Sequence, residues 1–448
     1  MKPDSANSHS DKPPRRFLNL SLNPETFAPF GYRDFRVLWL TVFVRSAALW
    51  METVARPILI VEFTGSAFLL GAVLAAYLAP SLILAPIAGV IIDRYPYRRV
   101  LGGASAINVI SSAVLFLLLL SDQAEAGHVI ALSAVSGISI GFFHPVRRAM
   151  LPVIVEQQHL RSAMALSQTC QTSMRIGGAL LAGLLLSFAD FTIVFAVMTL
   201  LNLAAALMVV LIRAREEPHD PDRDAGWNFV RQISAGARWA LDTRWPLAVL
   251  AVSAIMFIFL QPYEGVMVPL IVIDELEHHK SWVGYLIAVG GVGATLGSVA
   301  LASTSEIRSP NALMIAIIVI GGVALAALSH APHLAVVAVC VFFASACVSN
   351  MVAIANLALL AHAPEHMRGQ ALALMNLVVG TILIGALIAG ALADALGPRF
   401  GLLTMGACLL GAALLALSTP RVRWWLWRRN MYADVTREDW LRATDSDR

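Results

Sequence analysis

Gly178-Ala179-Leu180-Leu181-Ala182-Gly183 returns almost unchanged later in the chain as Gly385-Ala386-Leu387-Ile388-Ala389-Gly390. At the same offset, His159-Leu160-Arg161 answers His366-Met367-Arg368, ahead of an apolar stretch in both cases. A second echo, at a slightly different offset, matches the spacing of Glu52, Pro57 and Glu62 to that of Glu264, Pro269 and Asp274. Repetition across half a chain, inside apolar segments, is the mark of a duplicated helical membrane unit. Such an arrangement places a binding site between the two halves.

Composition supports this reading. Of 448 residues, 58% are hydrophobic and 14% charged, and mean hydropathy is +0.73. A soluble protein carries roughly 25% charged residues. Apolar runs of bilayer-crossing length recur along nearly the whole chain. The fold class expected is an all-α polytopic membrane protein, with about twelve transmembrane helices in two pseudo-symmetric six-helix bundles. Hydropathy places the spans near 37–61, 66–91, 100–120, 128–146, 163–188 and 191–212 in the first half. In the second half they fall near 246–273, 282–303, 311–329, 333–360, 369–393 and 399–418. The domains expected are an N-terminal tail (1–34), a first bundle (35–212), a linker (213–245), a second bundle (246–419) and a C-terminal tail (420–448).

Basic residues set the orientation. By these boundaries Lys280 and Arg399 lie on one face, and Arg45, Arg56 and Arg175 lie within spans. The remaining Lys and Arg lie on the other face and in both tails. This bias places both termini in the cytoplasm of a cell inner (plasma) membrane protein. The first 34 residues lack the apolar core of a signal peptide and read as a cytosolic tail. The net charge of +3 therefore speaks of topology and anionic headgroups rather than nucleic acid. Cys170, Cys340, Cys347 and Cys408 all fall inside spans, so neither a disulfide framework nor a zinc site is expected, and no cofactor is implied.

Within the linker, Trp227, Val230, Ile233, Ala237 and Leu241 share one helical face with Arg231 and Arg238 beside it, which predicts an amphipathic surface helix tethering the bundles. Arg421-Val422-Arg423-Trp424-Trp425-Leu426-Trp427-Arg428-Arg429 mixes indoles and guanidiniums and reads as an interfacial anchor.

A charge at mid-bilayer costs roughly 2.5–3.5 kcal/mol even on a lenient scale, so intramembrane charges should face protein or a wet cavity. Arg45, Glu52 and Arg56 are spaced i, i+7, i+11 and project within about 40° of one another. Glu52 and Arg56 can form an i,i+4 salt bridge. They are either a self-neutralised structural pair or, with Arg45 unpartnered nearby, the wall of a polar cavity. Gln168, Gln171, Thr172 and Arg175 form a second stripe whose counterparts are Met375, Val378, Val379 and Ile382; this asymmetry favours a substrate-facing role. Glu264 sits in Gln261-Pro262-Tyr263-Glu264-Gly265, which breaks the helix. It is either a structural acid paired with a distant arginine or a proton carrier, since burial without a local counter-charge favours the protonated carboxyl. Glycines 178, 183, 385 and 390 read as close-packing positions. Asn350, Asn356 and Asn376 are candidate cavity contacts, and His144 reads as a surface residue. Spans three, six, nine and twelve carry no ionisable group in their interiors and read as lipid-facing buttresses.

Between the second and third spans runs Gly89-Val90-Ile91-Ile92-Asp93-Arg94-Tyr95-Pro96-Tyr97-Arg98-Arg99. Gly-x-x-x-Asp-Arg followed by a basic pair, in that loop of a duplicated twelve-span chain, resembles the signature of the major facilitator superfamily over residues 31–420. Phe35-Arg36-Val37-Leu38-Trp39, Thr64-Gly65-Ser66-Ala67 and Phe142-Phe143-His144-Pro145 are similar to the branch that holds enterobactin exporters and macrolide-efflux-like proteins. The resemblance implies a cytosolic conformational latch made of Gly89, Asp93, Arg94, Arg98 and Arg99. It also implies alternating access and proton coupling. The chain departs from the pattern at Pro96, where glycine is usual, and at Gly178-Ala179, where antiporters commonly show Gly-Pro. It also has no arginine mid-span in the fourth helix, where many drug/proton antiporters have one.

The function expected is a secondary active, proton-coupled exporter of a small amphipathic molecule, siderophore-like or drug-like, acting as a monomer. The substrate and ion pathway expected comprises Arg45, Glu52, Arg56, Gln168, Gln171, Arg175, Glu264, Asn350 and Asn376. Importing a solute on the same fold is one alternative; a non-transporting sensor or a membrane enzyme is another. The sequence shows no converging His, Asp or Ser set near one bilayer face. Its three lysines, Lys2, Lys12 and Lys280, lie in no phosphate-binding loop, so an ion gradient rather than ATP is the expected energy source.

Overall fold

The computed structural model describes residues 24–213, 228–243, 245–304, 310–364 and 367–418, and these are helical with short connections. A short 3-10 helix, Pro24–Gly31, leads into α1 (Arg33–Thr64). The first half continues with α2 (Ala67–Arg94), α3 (Tyr97–Leu120), α4 (Ala126–Ile154), α5 (Leu160–Phe188) and α6 (Phe191–Val210). The linker carries α7 (Asn228–Thr243). The seventh span is broken into α8 (Trp245–Phe259), a 3-10 turn (Gln261–Tyr263), α9 (Met267–Leu270) and a π-helical turn (Ile271–Glu275). Then follow α10 (Ser281–Ala302), α11 (Pro310–Ser329), α12 (Leu334–His362), α13 (Arg368–Val379), α14 (Ile382–Leu396) and α15 (Pro398–Ser418). The last residues of the chain, including the Arg- and Trp-rich stretch 421–429, lie outside the described residues, as do most of the N-terminal tail, Trp227 and His366.

Among the described residues, eleven helical stretches are long and apolar enough to cross a bilayer, with α8 to the π turn and α13–α14 each forming one. The remaining expected span, α5, is 29 residues long but outside this set, because Gln168, Gln171, Thr172 and Arg175 dilute its hydropathy. Since α5 packs between α1 and α10, Gln171, Thr172 and Arg175 of that face are half-buried, while Gln168 is exposed. In the first half α2 packs on α4 and α3 on α6; in the second, α10 packs on α12 and α11 on α15. The same pairing recurs because the same unit recurs.

The repeated glycine motif does equivalent work in each half. A Cβ on Gly178 would meet the carbonyl oxygen of Ala47 in α1, and one on Gly385 would meet that of Ile258 in α8. Each first glycine thus seats its helix on the first span of its own bundle. The second glycines face the other bundle: a Cβ on Gly183 would lie 2.8 Å from the Ser281 oxygen, and one on Gly390 2.5 Å from the Ala67 oxygen. With no hydrophobic force between helices in lipid, such backbone approach is what holds them together.

Helices α1 and α2 are joined at Gly65, which caps α1 in the left-handed conformation at φ +62°, where a Cβ would be strained. The Ser66 side chain then accepts a hydrogen bond from the Leu69 amide as the α2 N-cap. At this Gly65 end the bundles are closed together. Asp394 of α14 accepts from the Ser66 hydroxyl and from the Ala67 and Phe68 amides at 2.7–3.0 Å, and Lys280 pairs with Glu62 at 2.8 Å. At the opposite end, near Pro96, Gln168 and Thr169 of α5 and Asn376 and Leu377 of α13 are exposed.

The linker helix α7 packs on α13, where a Cβ on Gly236 would lie 3.2 Å from Cβ of Gln370.

Candidate functional site

Three helices meet between the bundles, two of them bringing charges and the third an indole. Arg175 is midway along α5, Glu264 follows the break in the seventh span, and Trp50 is midway along α1. One Arg175 nitrogen, Nη2, reaches both carboxylate oxygens of Glu264 at 2.9 Å and donates to the Ser345 hydroxyl of α12 at 3.2 Å. The guanidinium lies 5.1 Å from the Trp50 ring centroid, a distance at which the ring face attracts a cation. Tyr263 completes the cluster through a hydrogen bond to Ser345. Glu264 is buried at 6% exposure. The sequence predicts no cation within one turn of Glu264, and along its own helix that is so; its partner comes instead from the opposite bundle. Of the two readings of Glu264, an acid paired with a distant arginine is the one the geometry shows, and the premise of an acid without a counter-charge is corrected. The ion pair joins the two halves.

Glu52 is the counterpart of Glu264 in the sequence repeat, but its pairing stays within one helix. Arg56 Nη2 lies 2.7 Å from Glu52 Oε1, both side chains being buried, as the i,i+4 spacing predicts. The same guanidinium donates to Ser133 at 2.9 Å, Ser111 at 3.2 Å and Ser136 at 3.0 Å. These serines belong to α3 and α4. Helix α3, read from the sequence as a lipid-facing buttress, is such only on one side. Ile110, Leu117 and Leu120 are exposed, while Ser105, Asn108, Ser111 and Ser112 are buried. Hydroxyls spaced along an apolar helix were the signal for this second face.

Arg45 is buried at 3% exposure. Its guanidinium carbon sits 5.9 Å from the Phe143 ring centroid, and its Nε and Nη1 have no hydrogen-bond partner. Among the described residues it forms no salt bridge.

The fourth helix does hold a buried arginine. Helix α4 continues to Ile154, beyond the hydropathy boundary at 146, and Arg147 within it donates to Ser167 of α5 at 2.9 Å. Gln171, half-buried on the second polar stripe, has its side-chain amide against the Arg147 guanidinium. Gln168 is exposed and joins neither cluster. Asn350 is half-buried with its carbonyl oxygen unpartnered; Asn356 is half-buried and Asn376 exposed. His144, expected at the surface, is half-buried with its ring edge-on to Phe143.

Of the expected latch, Gly89, Arg94, Arg98 and Arg99 are exposed at the Pro96 end, and Arg98 donates to the Val210 carbonyl at 2.6 Å. The Asp93 side chain lies outside the described residues. The sequence reading missed Asp394, which lies where α14 nears its end and looks like an ordinary loop-side acid until the two bundles are docked.

A family model described as Major Facilitator Superfamily matches residues 38–382. Among characterised proteins, the chain is 26% identical over 382 residues to the multidrug efflux pump Tap of Mycolicibacterium fortuitum, covering 83% of this chain and 91% of that protein. It is 23% identical over 252 residues to macrolide efflux protein A of Streptococcus pyogenes, covering 54% and 60%. Among solved structures it superposes on the nucleoside transporter NupG with a TM-score of 0.73 at 10% identity, covering 86% of this chain and 98% of that one. A bacterial homolog to the human lysosomal transporter Spinster, in an inward-facing and unoccupied conformation, gives a TM-score of 0.66 at 15% identity, covering 88% and 96%. At these identities the two structures show the shared fold alone.

Proposed function

The chain belongs to the major facilitator superfamily, and on that footing we propose that it is a secondary active exporter of a small amphipathic molecule, working by alternating access with proton coupling. The observation that carries the reading is the Arg175–Glu264 pair, which links the two bundles midway along their helices, in a chain whose relatives include named efflux pumps. The basic residues at the Pro96 end support reading that end as cytosolic, and with the Gly65 end closed the cytosolic side is the one left to open. Closure at the Gly65 end rests on Asp394, Lys280 and the glycine approaches.

In this reading a proton on Glu264 removes the charge that holds Arg175 across the interface. Arg175 keeps Ser345 and the Trp50 face, and the bundles are freed to rock. A ligand changes this equilibrium only through its differential affinity for the two states. The gradient supplies about 2.3 kcal/mol per charge per 100 mV. Glu52, held by Arg56 and three serines, lends structure to the first bundle, while Gln171 and Asn350 line the route. Arg94, Arg98 and Arg99, with Asp93, act as the inner latch.

Uptake of macrolides, siderophores and cationic dyes into everted membrane vesicles under an imposed pH gradient tests the reading. Accumulation in everted vesicles is expected; accumulation only in right-side-out vesicles assigns import instead.

A further inference from the structure

Arg175 is shared between the bundles by two kinds of contact. Glu264 and Ser345, which accept from its Nη2, belong to the second bundle. Trp50, with its ring centroid 5.1 Å from the guanidinium carbon, belongs to the first, as Arg175 itself does. The close approach of α1 and α5 fixes this indole. A Cβ on Gly178 would lie 2.6 Å from the Ala47 carbonyl oxygen and 2.8 Å from the Trp50 Cβ, so only glycine lets α5 settle on α1 here. Gly178 stands one turn beyond Arg175 on the same face of α5, and the indole spans that turn. On the α10 side, a Cβ on Gly291 would lie 3.4 Å from the Arg175 Cγ, which confines the stem.

The ring face and the carboxylate act on the guanidinium in different charge states. With Glu264 ionised, the carboxylate answers the positive charge, and the indole quadrupole adds little. Once Glu264 is protonated, Arg175 is a cation only 15% exposed, with Nε unpartnered. A cation–π contact strengthens when the cation is desolvated, and more so when no anion competes for it. Trp50 therefore favours the protonated state of the pair over the ionised one.

The other titratable groups around Glu264 are already committed. Tyr263 is bonded to Ser345, and Cys347 of α12 lies in the same neighbourhood. Glu52 and Arg56 of α1, which face the break at Gly265 beside Tyr77 of α2, neutralise each other. Asp394 of α14 and Arg399 of α15 are engaged elsewhere, with Ala67 and Glu275. Arg175 is thus the charge that answers Glu264.

We propose that Trp50 is a positioning residue of the coupling site: it holds the Arg175 guanidinium on the first bundle when Glu264 is protonated, and so sets the pH at which the bundles part. This deepens the proton coupling proposed above and rests on that reading.

The test needs no substrate. The purified full chain, with native cysteines replaced and spin labels at Phe63 and His278, is placed in nanodiscs, and the long-distance population is followed against pH. The component of that titration abolished by Glu264→Gln belongs to the coupling pair. Trp50→Leu is expected to move its midpoint about one pH unit toward acid, the scale of a desolvated cation–π contact. Trp50→Tyr falls between. Fluorinated tryptophans placed at position 50 alone weaken the ring face with little change of shape, and move the midpoint stepwise with each added fluorine. A merely structural indole would not show that gradation. A midpoint unmoved in Trp50→Leu, or moved there but not across the fluorinated series, overturns the inference while the coupling reading stands. A titration with no component that depends on Glu264 removes the coupling reading, and the inference falls with it.

Discussion

The Asp394 carboxylate accepts a hydrogen bond from the Ala67 amide at 2.7 Å, although the two residues belong to opposite halves of the chain. Ser66 and Phe68 donate to the same carboxylate. A carboxylate on the free amides of a helix N-terminus is favoured both as a cap and by the helix dipole, together worth roughly 1–2 kcal/mol. Here the cap is supplied by α14 to α2, so it exists only while the Gly65 end is closed.

Asp394→Ala should therefore loosen that end. With native cysteines replaced, spin labels at Phe63 and His278 are expected to show a longer-distance population that is minor in the parent protein. Asp394→Asn, which keeps one acceptor, falls between. An unchanged distance distribution in Asp394→Ala would show that the cap has no part in closure.

The opposite latch makes the opposite prediction. Asp93→Asn and Arg98→Ala act at the Pro96 end, away from the mid-membrane charges, and are expected to slow transport while leaving equilibrium substrate binding within about twofold. In the same spin-label pair they should favour the short distance. Loss of binding with unchanged distances would remove the latch role from these residues.

Gly390 and Gly411 separate close packing from mere helix propensity. A Cβ on Gly390 would meet the Ala67 carbonyl at 2.5 Å, whereas one on Gly411 meets nothing within 4 Å. Gly390→Val is expected to push the bundles apart at the Gly65 end and lower transport by about tenfold or more, while Gly411→Ala leaves it unchanged or slightly raises thermal stability. Equal effects from the two would mean that the interface yields more easily than its backbone contacts imply.

Arg56 is held by Glu52 and three serines, and both charged side chains are buried. Arg56→Met strands a buried carboxylate, and a loss of about 3–5 kcal/mol is expected from breaking such a pair. The thermal midpoint of purified protein should fall clearly below that of Glu52→Gln, which leaves a neutral acceptor. A midpoint equal to the parent would show that the pair is solvated.

How much of this was legible in the sequence follows from how far apart the partners lie. The Glu52–Arg56 pair is one helical turn, so spacing reveals it. The glycine repeat gives the packing of α5 and α14, because a duplicated motif keeps duplicated neighbours. Thr64-Gly65-Ser66 is readable as a helix end and a helix start for the same local reason. Arg175–Glu264 is not readable: each residue is locally unpaired, and only docking of the bundles joins them. Arg147 was hidden by a hydropathy boundary, since an arginine lowers the window that defines the span although the helix continues through it. The polarity that makes α5 fit for a site likewise hides it as a span.

Transport by purified protein in liposomes with an imposed pH gradient tests the central claim, that Glu264 couples the proton to movement of the bundles through Arg175. Glu264→Gln is expected to bind substrate and to exchange it downhill at near-parental rates, yet to lose accumulation driven by the pH gradient. Glu52→Gln should retain that accumulation. If Glu264→Gln still concentrates substrate and Glu52→Gln does not, the two acids have exchanged roles and the account is contradicted.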